Sequence, residues 1–125
     1  MKLHLDKRDD TLAVTAHGPG YIEINRQRIA HGLILLPKRI AGRWAEQGFE
    51  GLTSADFAAL CELGADVILI GTGMRQRFPA PALLRPLVEA RLGFEVMDTP
   101  AACRTYNILM GESRAVAAAL ILDPA

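Results

Sequence analysis

Ten residues in the last third of the chain, Asp98-Thr99-Pro100-Ala101-Ala102-Cys103-Arg104-Thr105-Tyr106-Asn107, combine a helix-start signal with a thiol and a guanidinium. Asp98 or Thr99 can cap the helix, with Pro100 as its first residue. Cys103 and Arg104 then fall in the opening turns. There, unpaired backbone N–H groups and the positive end of the helix dipole favour an anion and depress a thiol pKa. Arg104 adds a fork that grips a carboxylate through two parallel bonds. A second group is Gly71-Thr72-Gly73, placed after one predicted strand and before a helix, where glycines let backbone approach a phosphate. A third glycine is missing at Gln76 and no Lys-Ser/Thr pair follows, so neither a dinucleotide fingerprint nor a phosphate loop is complete. Two readings stand: a tight turn that needs positive φ, or the backbone rim of a small pocket. If the strands before the two groups are neighbours, both chain reversals share one carboxyl edge of a sheet. The candidate ligand site is then Gly71, Thr72, Gly73, Thr99, Cys103, Arg104 and Asn107, with Arg75 as a further contact for an anion.

Catalysis needs more than this. A Cys103 nucleophile requires a base and an oxyanion site. His4, His17 and His31 all lie in the first third, and no spacing brings one to the thiol. Cys103 reads either as a small buried hydrophobe or as a reactive thiol, and Cys61 as part of an apolar stripe. Arg104, Thr105 and Asn107 either satisfy buried backbone groups or line a site. No carboxylate pair, zinc spacing or Ser-His-Asp set is present. The expectation is no catalytic residue, no metal and no cofactor.

The elements that would position these residues are β-rich at first. Strands are expected at Leu12–Ala16 and Tyr21–Asn25, with a tight turn at Asn25-Arg26-Gln27 that lacks the usual Asn-Gly pair. A longer strand, Arg28–Leu36, carries a bulge at Gly32 and stops at Pro37. A short strand near Arg39–Ala45 carries Trp44, a core residue by default, as is Phe49. A helix capped by Thr53 or Ser54 buries Phe57, Leu60, Cys61 and Leu63 and ends at Gly64. Val67–Ile70 reads as a strand buried on both faces. A helix starts near Pro81 and ends at Gly93, with Pro86 inside its pattern. Phe94–Met97 is a strand, and the capped helix runs from about Asp98 to Gly111. The Ala-rich tail, Ala115–Leu122, fits a helix by propensity and a buried strand by its shortness.

With 125 residues and half of them hydrophobic, one ordinary domain (residues 1–125) can bury roughly two-thirds of its extended-chain surface. Fourteen basic and fourteen acidic residues cancel, which argues against nucleic acid as a partner. Charge is nonetheless clustered: Arg26, Arg28, Lys38, Arg39 and Arg43 have no acid between them, and Arg75, Arg77, Arg85 and Arg91 face Glu89 alone. Two cysteines 42 residues apart imply neither a disulfide framework nor a metal site. The opening Met1–Arg8 has no apolar signal core, and the longest uncharged apolar run, Ile29–Pro37, is far too short to span a bilayer. A cytoplasmic location with no membrane span is expected. Oligomeric state is not encoded in these features.

Several stretches together resemble a known family: Leu33-Ile34-Leu35-Leu36-Pro37, Trp44, Leu52-Thr53, Gly71-Thr72-Gly73, Met97 through Leu109, and Glu112-Ser113-Arg114-Ala115-Val116-Ala117-Ala118-Ala119-Leu120. The resemblance is to the small-domain family that includes the mitochondrial NADH:ubiquinone oxidoreductase complex assembly factor 3 and the adipogenesis-associated domain protein. It covers about residues 21–122, and the Asp98–Leu109 block is its most specific part. It implies an α+β (α/β-like) fold of three β/β/α layers, with a mixed central sheet, about three helices and the Ala-rich tail as a strand. It also implies a non-enzymatic protein-binding or assembly role, with respiratory-complex assembly partners. No catalytic residue or cofactor comes with the resemblance. With no mitochondrial targeting segment, the chain looks like a bacterial member. The alternatives are a small anionic-ligand-binding protein at the site named above, and thiol-dependent activity at Cys103.

Overall fold

The computed structural model describes residues 10–124. His4 and the stretch read for a leader lie outside them. The N-terminal part is a three-stranded antiparallel sheet of β1 (Val14–Gly18), β2 (Tyr21–Ile24) and β3 (Gln27–Ile29). Ile24 pairs with Gln27 across the two-residue turn Asn25-Arg26, whose φ angles are 48° and 72°. That is the left-handed pair that matches strand twist. Asn25 holds the turn by accepting from the Ala13 amide and donating to the Thr11 carbonyl. Arg26 stands where glycine is usual, and its amide is held by the Thr15 hydroxyl at 3.0 Å.

The expected strand Arg28–Leu36 is two strands in two sheets. After β3 the chain crosses to β4 (Leu33–Leu35), the second strand of a five-stranded sheet. Gly32 is the crossing point and not a bulge. A Cβ there would press on the Trp44 carbonyl oxygen and come within 2.9 Å of that of Leu120. Only a bare α-carbon lets three backbones pass this closely. The large sheet has the order β5 (Ile40–Arg43), β4, β8 (Val116–Leu120), β6 (Val67–Gly71), β7 (Gly93–Met97). β8 runs antiparallel to β4 and parallel to β6, so the sheet is mixed as expected.

Side chains of the central strands alternate between two cores. Leu33, Leu35, Leu69, Val116, Ala118 and Leu120 face one way. Ile34, Ile68, Ile70, Ala119 and Ile121 face the other. Both sets are buried, which is why these strands read as unbroken aliphatic runs. The Ala-rich tail is a strand because it sits mid-sheet, where packing on both faces overrides helix propensity.

Helix α1 (Ser54–Leu60) begins with a reciprocal cap, in which the Asp56 amide donates to the Thr53 hydroxyl and the Thr53 amide donates to the Asp56 carboxylate. It ends at Leu60, earlier than the glycine at position 64 suggested; Cys61 is already its cap. Helix α2 (Pro81–Glu89) keeps Pro86 in its interior. Arg91, at φ 57°, makes the left-handed exit assigned to Gly93, which instead opens β7. Phe57, Leu60, Leu84 and Leu87 of α1 and α2 cover one face of the large sheet, together with Trp44. Trp44 meets Phe57 edge-on with ring centroids 5.5 Å apart.

Helix α3 (Thr99–Gly111) lies on the other face, beside the small sheet. Ala102, Cys103 and Tyr106 of α3 share a core with Val14, Ile22 and Ile24. The three layers are therefore the small sheet with α3, the mixed sheet, and α1 with α2. Among the described residues no helix is long and apolar enough to cross a membrane.

Candidate functional site

The two chain reversals singled out in the sequence meet. β6 and β7 are parallel neighbours, with Gly71 opposite Met97, so the Gly71-Thr72-Gly73 turn and the start of α3 leave the same edge of the sheet. The Thr99 amide donates to the Gly73 carbonyl at 2.7 Å. The Thr99 hydroxyl accepts from the Gly73 amide at 2.8 Å and donates to the Ile121 carbonyl at 2.7 Å. Thr99, 4% exposed, thus joins the ends of β6, β8 and α3. Gly71 leaves little room at the same contact, since a Cβ would lie 3.0 Å from the Thr99 Oγ1 and 3.1 Å from its Cα. The N-cap is Asp98, whose carboxylate accepts from Ala101 at 2.8 Å, and Pro100 is the second helical residue.

The amides at this edge are engaged by the protein itself. Gly73 gives its N–H to Thr99, Met74 to Asp123 at 3.0 Å, and Ala101 to Asp98. Thr72 is fully buried; its hydroxyl donates to the Arg75 carbonyl at 2.8 Å and accepts from the Arg77 amide at 3.0 Å. A crevice beside the edge is lined by His17, Tyr21, Gly73, Thr99, Pro100 and Asp123, with a free volume of ≈ 10 Å³. That admits one water molecule. A cavity of ≈ 260 Å³ lies at the opposite end of β6 and β8, between Leu36–Arg39 and Leu63–Ala65. None of the residues chosen from the sequence lines it.

The seven residues divide. Gly71, Thr72, Gly73 and Thr99 come together at the edge. Asn107 lies two turns further along α3 and clamps β1, accepting from the Val14 amide at 2.9 Å and donating to its carbonyl at 2.8 Å. Arg104 is exposed on α3 and does not line the crevice. Cys103 is 1% exposed, packed in the core between α3 and the large sheet.

Of the two readings of Cys103, its burial favours the small buried hydrophobe over the reactive thiol. Burial pushes the Cys103 pKa up to about 12, and Arg104 offsets only part of that rise. The helix turns Cys103 inward and Arg104 outward, so the guanidinium charge lowers the thiol pKa by less than burial raises it. Native protein at pH 7.5 should therefore leave Cys103 unmodified by iodoacetamide for hours, while the partly exposed Cys61 reacts first. Peptide mass spectrometry decides this, and rapid labelling of Cys103 would show an accessible sulfur.

Sequence reasoning passed over two residues that organise the edge. Arg77 donates to the Thr72 carbonyl, pairs with Asp123 at 3.2 Å and lies 4.6 Å over the Phe49 ring. In the sequence, Arg77 was one charge in a basic run and Asp123 one acid in the tail. Their 46-residue separation gave no signal of pairing.

Comparison with known proteins shows the family. A family described as proteins of unknown function (DUF498/DUF598) matches residues 14–121, β1 through the end of β8. The chain belongs to this family. It is 29% identical over 127 residues to the Bos taurus protein named NADH dehydrogenase [ubiquinone] 1 alpha subcomplex assembly factor 3, covering 98% of this chain and 68% of the relative. It is 32% identical over 103 residues to the Homo sapiens protein of the same name, covering 81% of this chain and 55% of the relative. The chain thus matches between about half and two-thirds of the length of these relatives. Among solved structures, a Bordetella parapertussis protein is 41% identical, with a TM-score of 0.83 over 90% of this chain and 97% of that one. The DUF498/DUF598 match includes both the Gly71-Thr72-Gly73 turn and the α3 start, and so the whole of the edge that Thr99 fastens.

Proposed function

We propose that this chain is a non-enzymatic protein-binding module that assists assembly of a respiratory NADH dehydrogenase, acting in the cytoplasm. The observation that carries the reading is the likeness over nearly its whole length to the assembly factor of Bos taurus. Two physical features agree with it. The candidate nucleophile is sealed, with its thiol held protonated. The glycine-marked edge spends its polar groups on fastening three elements together, which makes a rigid scaffold for presenting surface.

The test is a deletion strain of the native host with native gel electrophoresis of its membranes. Loss of the protein should reduce assembled NADH dehydrogenase and leave smaller subassemblies. An affinity-tagged copy, solubilised gently, should retain subunits of that complex. Wild-type amounts of assembled complex in the deletion strain, together with no stable partner on the tagged protein, would overturn the reading.

A further inference from the structure

We infer that the loop between β6 and α2 is the docking element for a protein partner, with Phe78 entering an apolar pocket whose rim is acidic; the inference rests on the assembly-module reading and deepens it. Residues 72–80 form no regular element, yet the loop is tied at five places. Thr72 donates to Arg75 at 2.8 Å and accepts from the Arg77 amide at 3.0 Å. The Met74 amide reaches Asp123 at 3.0 Å, and the Gln76 side chain reaches the Val96 carbonyl of β7 at 2.9 Å. The Arg77 guanidinium holds the Thr72 carbonyl and Asp123 while stacking over Phe49. A buried threonine and a partly buried ion pair are committed to fixing this one loop.

What the fixed loop displays is apolar. Phe78 is 69% exposed and Met74 49%. Among the described residues, Phe78 belongs to none of the buried cores. Aromatic residues, Met and Arg are enriched in protein interfaces relative to the rest of the surface, and a loop ordered before binding loses less entropy when it docks. Charge selects the partner. The loop carries Arg75 and Arg77 and no acid, and Arg85 follows on α2, four residues before Glu89. Arg77 is neutralised by Asp123, whereas Arg75 and Arg85 are exposed. The complement is an apolar pocket flanked by carboxylates. A lipid surface fits less well: a fluid interface gains nothing from a loop tied down in this way, and one ring with two arginines is too little for stable membrane anchoring.

The experiment places the photo-crosslinking residue p-benzoylphenylalanine at position 78 in the full chain, and at positions 88 and 108 as controls, in the native host. Val88 and Ile108 are also exposed apolar residues, on α2 and α3. Irradiation should give a discrete protein adduct from position 78 and none from the controls. The crosslinked peptide should carry Asp or Glu beside apolar residues. Arg75→Glu should reduce the adduct about tenfold, and reversing the mapped carboxylate to Lys in that background should restore it. Phe78→Ser should reduce retention of the same protein on the tagged chain by about tenfold or more while melting like wild type. If the partner crosslinks from 88 or 108 but not from 78, the loop assignment fails and the assembly reading stands. If no position crosslinks and no partner is retained, both fail. Sedimentation with phosphatidylglycerol–phosphatidylcholine vesicles that depends on Phe78, with no protein adduct, overturns the protein partner in favour of a membrane.

Discussion

Replacing Thr99 with Val should destabilise the protein by about 3 kcal/mol. Valine has nearly the shape of threonine, so no cavity opens and the change reports on the hydroxyl. That hydroxyl accepts from the Gly73 amide and donates to the Ile121 carbonyl. Its loss leaves one buried donor and one buried acceptor unpaired, each at about 1–3 kcal/mol. Thr99→Ser, which keeps the oxygen, should recover most of the difference. Urea unfolding at pH 7.5 measures it, with an unchanged slope showing that only stability moved. Hydrogen exchange gives a local reading, because the Gly73 amide should lose protection ahead of the β6 core. A Thr99→Val protein within about 0.5 kcal/mol of wild type would mean that water replaces the hydroxyl at the edge.

Gly32→Ala should be more damaging still, costing about 3 kcal/mol or more, or preventing folding at 37 °C. The added methyl would meet the Trp44 and Leu120 carbonyl oxygens, and both belong to backbone pinned in the large sheet. Neither can swing aside as a side chain would. Relief requires β4 to move from β8 or the β5 end to move from β4, and Trp44 donates its amide to the Gly32 carbonyl at 3.1 Å. Gly111→Ala is the control. It closes α3 with nothing within 4 Å of its new methyl, and should be neutral or slightly stabilising. Thermal unfolding of the pair separates the crowding at position 32 from any general effect of removing a glycine.

These two positions also show what one chain of letters discloses and what it withholds. Elements whose evidence is local were legible. The Asp98 cap, the Pro81 start and the aliphatic run of β6 each declare themselves within a few residues. That the two reversals share an edge was conditional on their strands being neighbours, which β6 and β7 are. The misreadings arise where a distant backbone decides. Gly32 resembles a bulge until Trp44 and Leu120 arrive from elsewhere in the chain. β8 has alanine's helix propensity and becomes a strand only because β4 and β6 flank it. The glycine, threonine and proline identities singled out in the sequence lie where the two reversals meet. Which way each α3 side chain points was not legible to the same degree. Cys103, three residues on from Pro100, turns into the core, while neighbouring Arg104 faces water. Whether an amide is free for a ligand depends on Asp123 and Thr99, partners far off in sequence.

The position of β8 sets an order of events during biosynthesis. Its two neighbours, β4 and β6, bond to it and not to each other. A nascent chain that has emerged only through β7 therefore holds two half-sheets with a gap between them, each presenting an unsatisfied aliphatic edge. The gap closes when residues 116–120 clear the ribosome, so the fold is completed late and in one stroke. Until then, those two borders lack their native partner and are open to pairing with a stranger's strand.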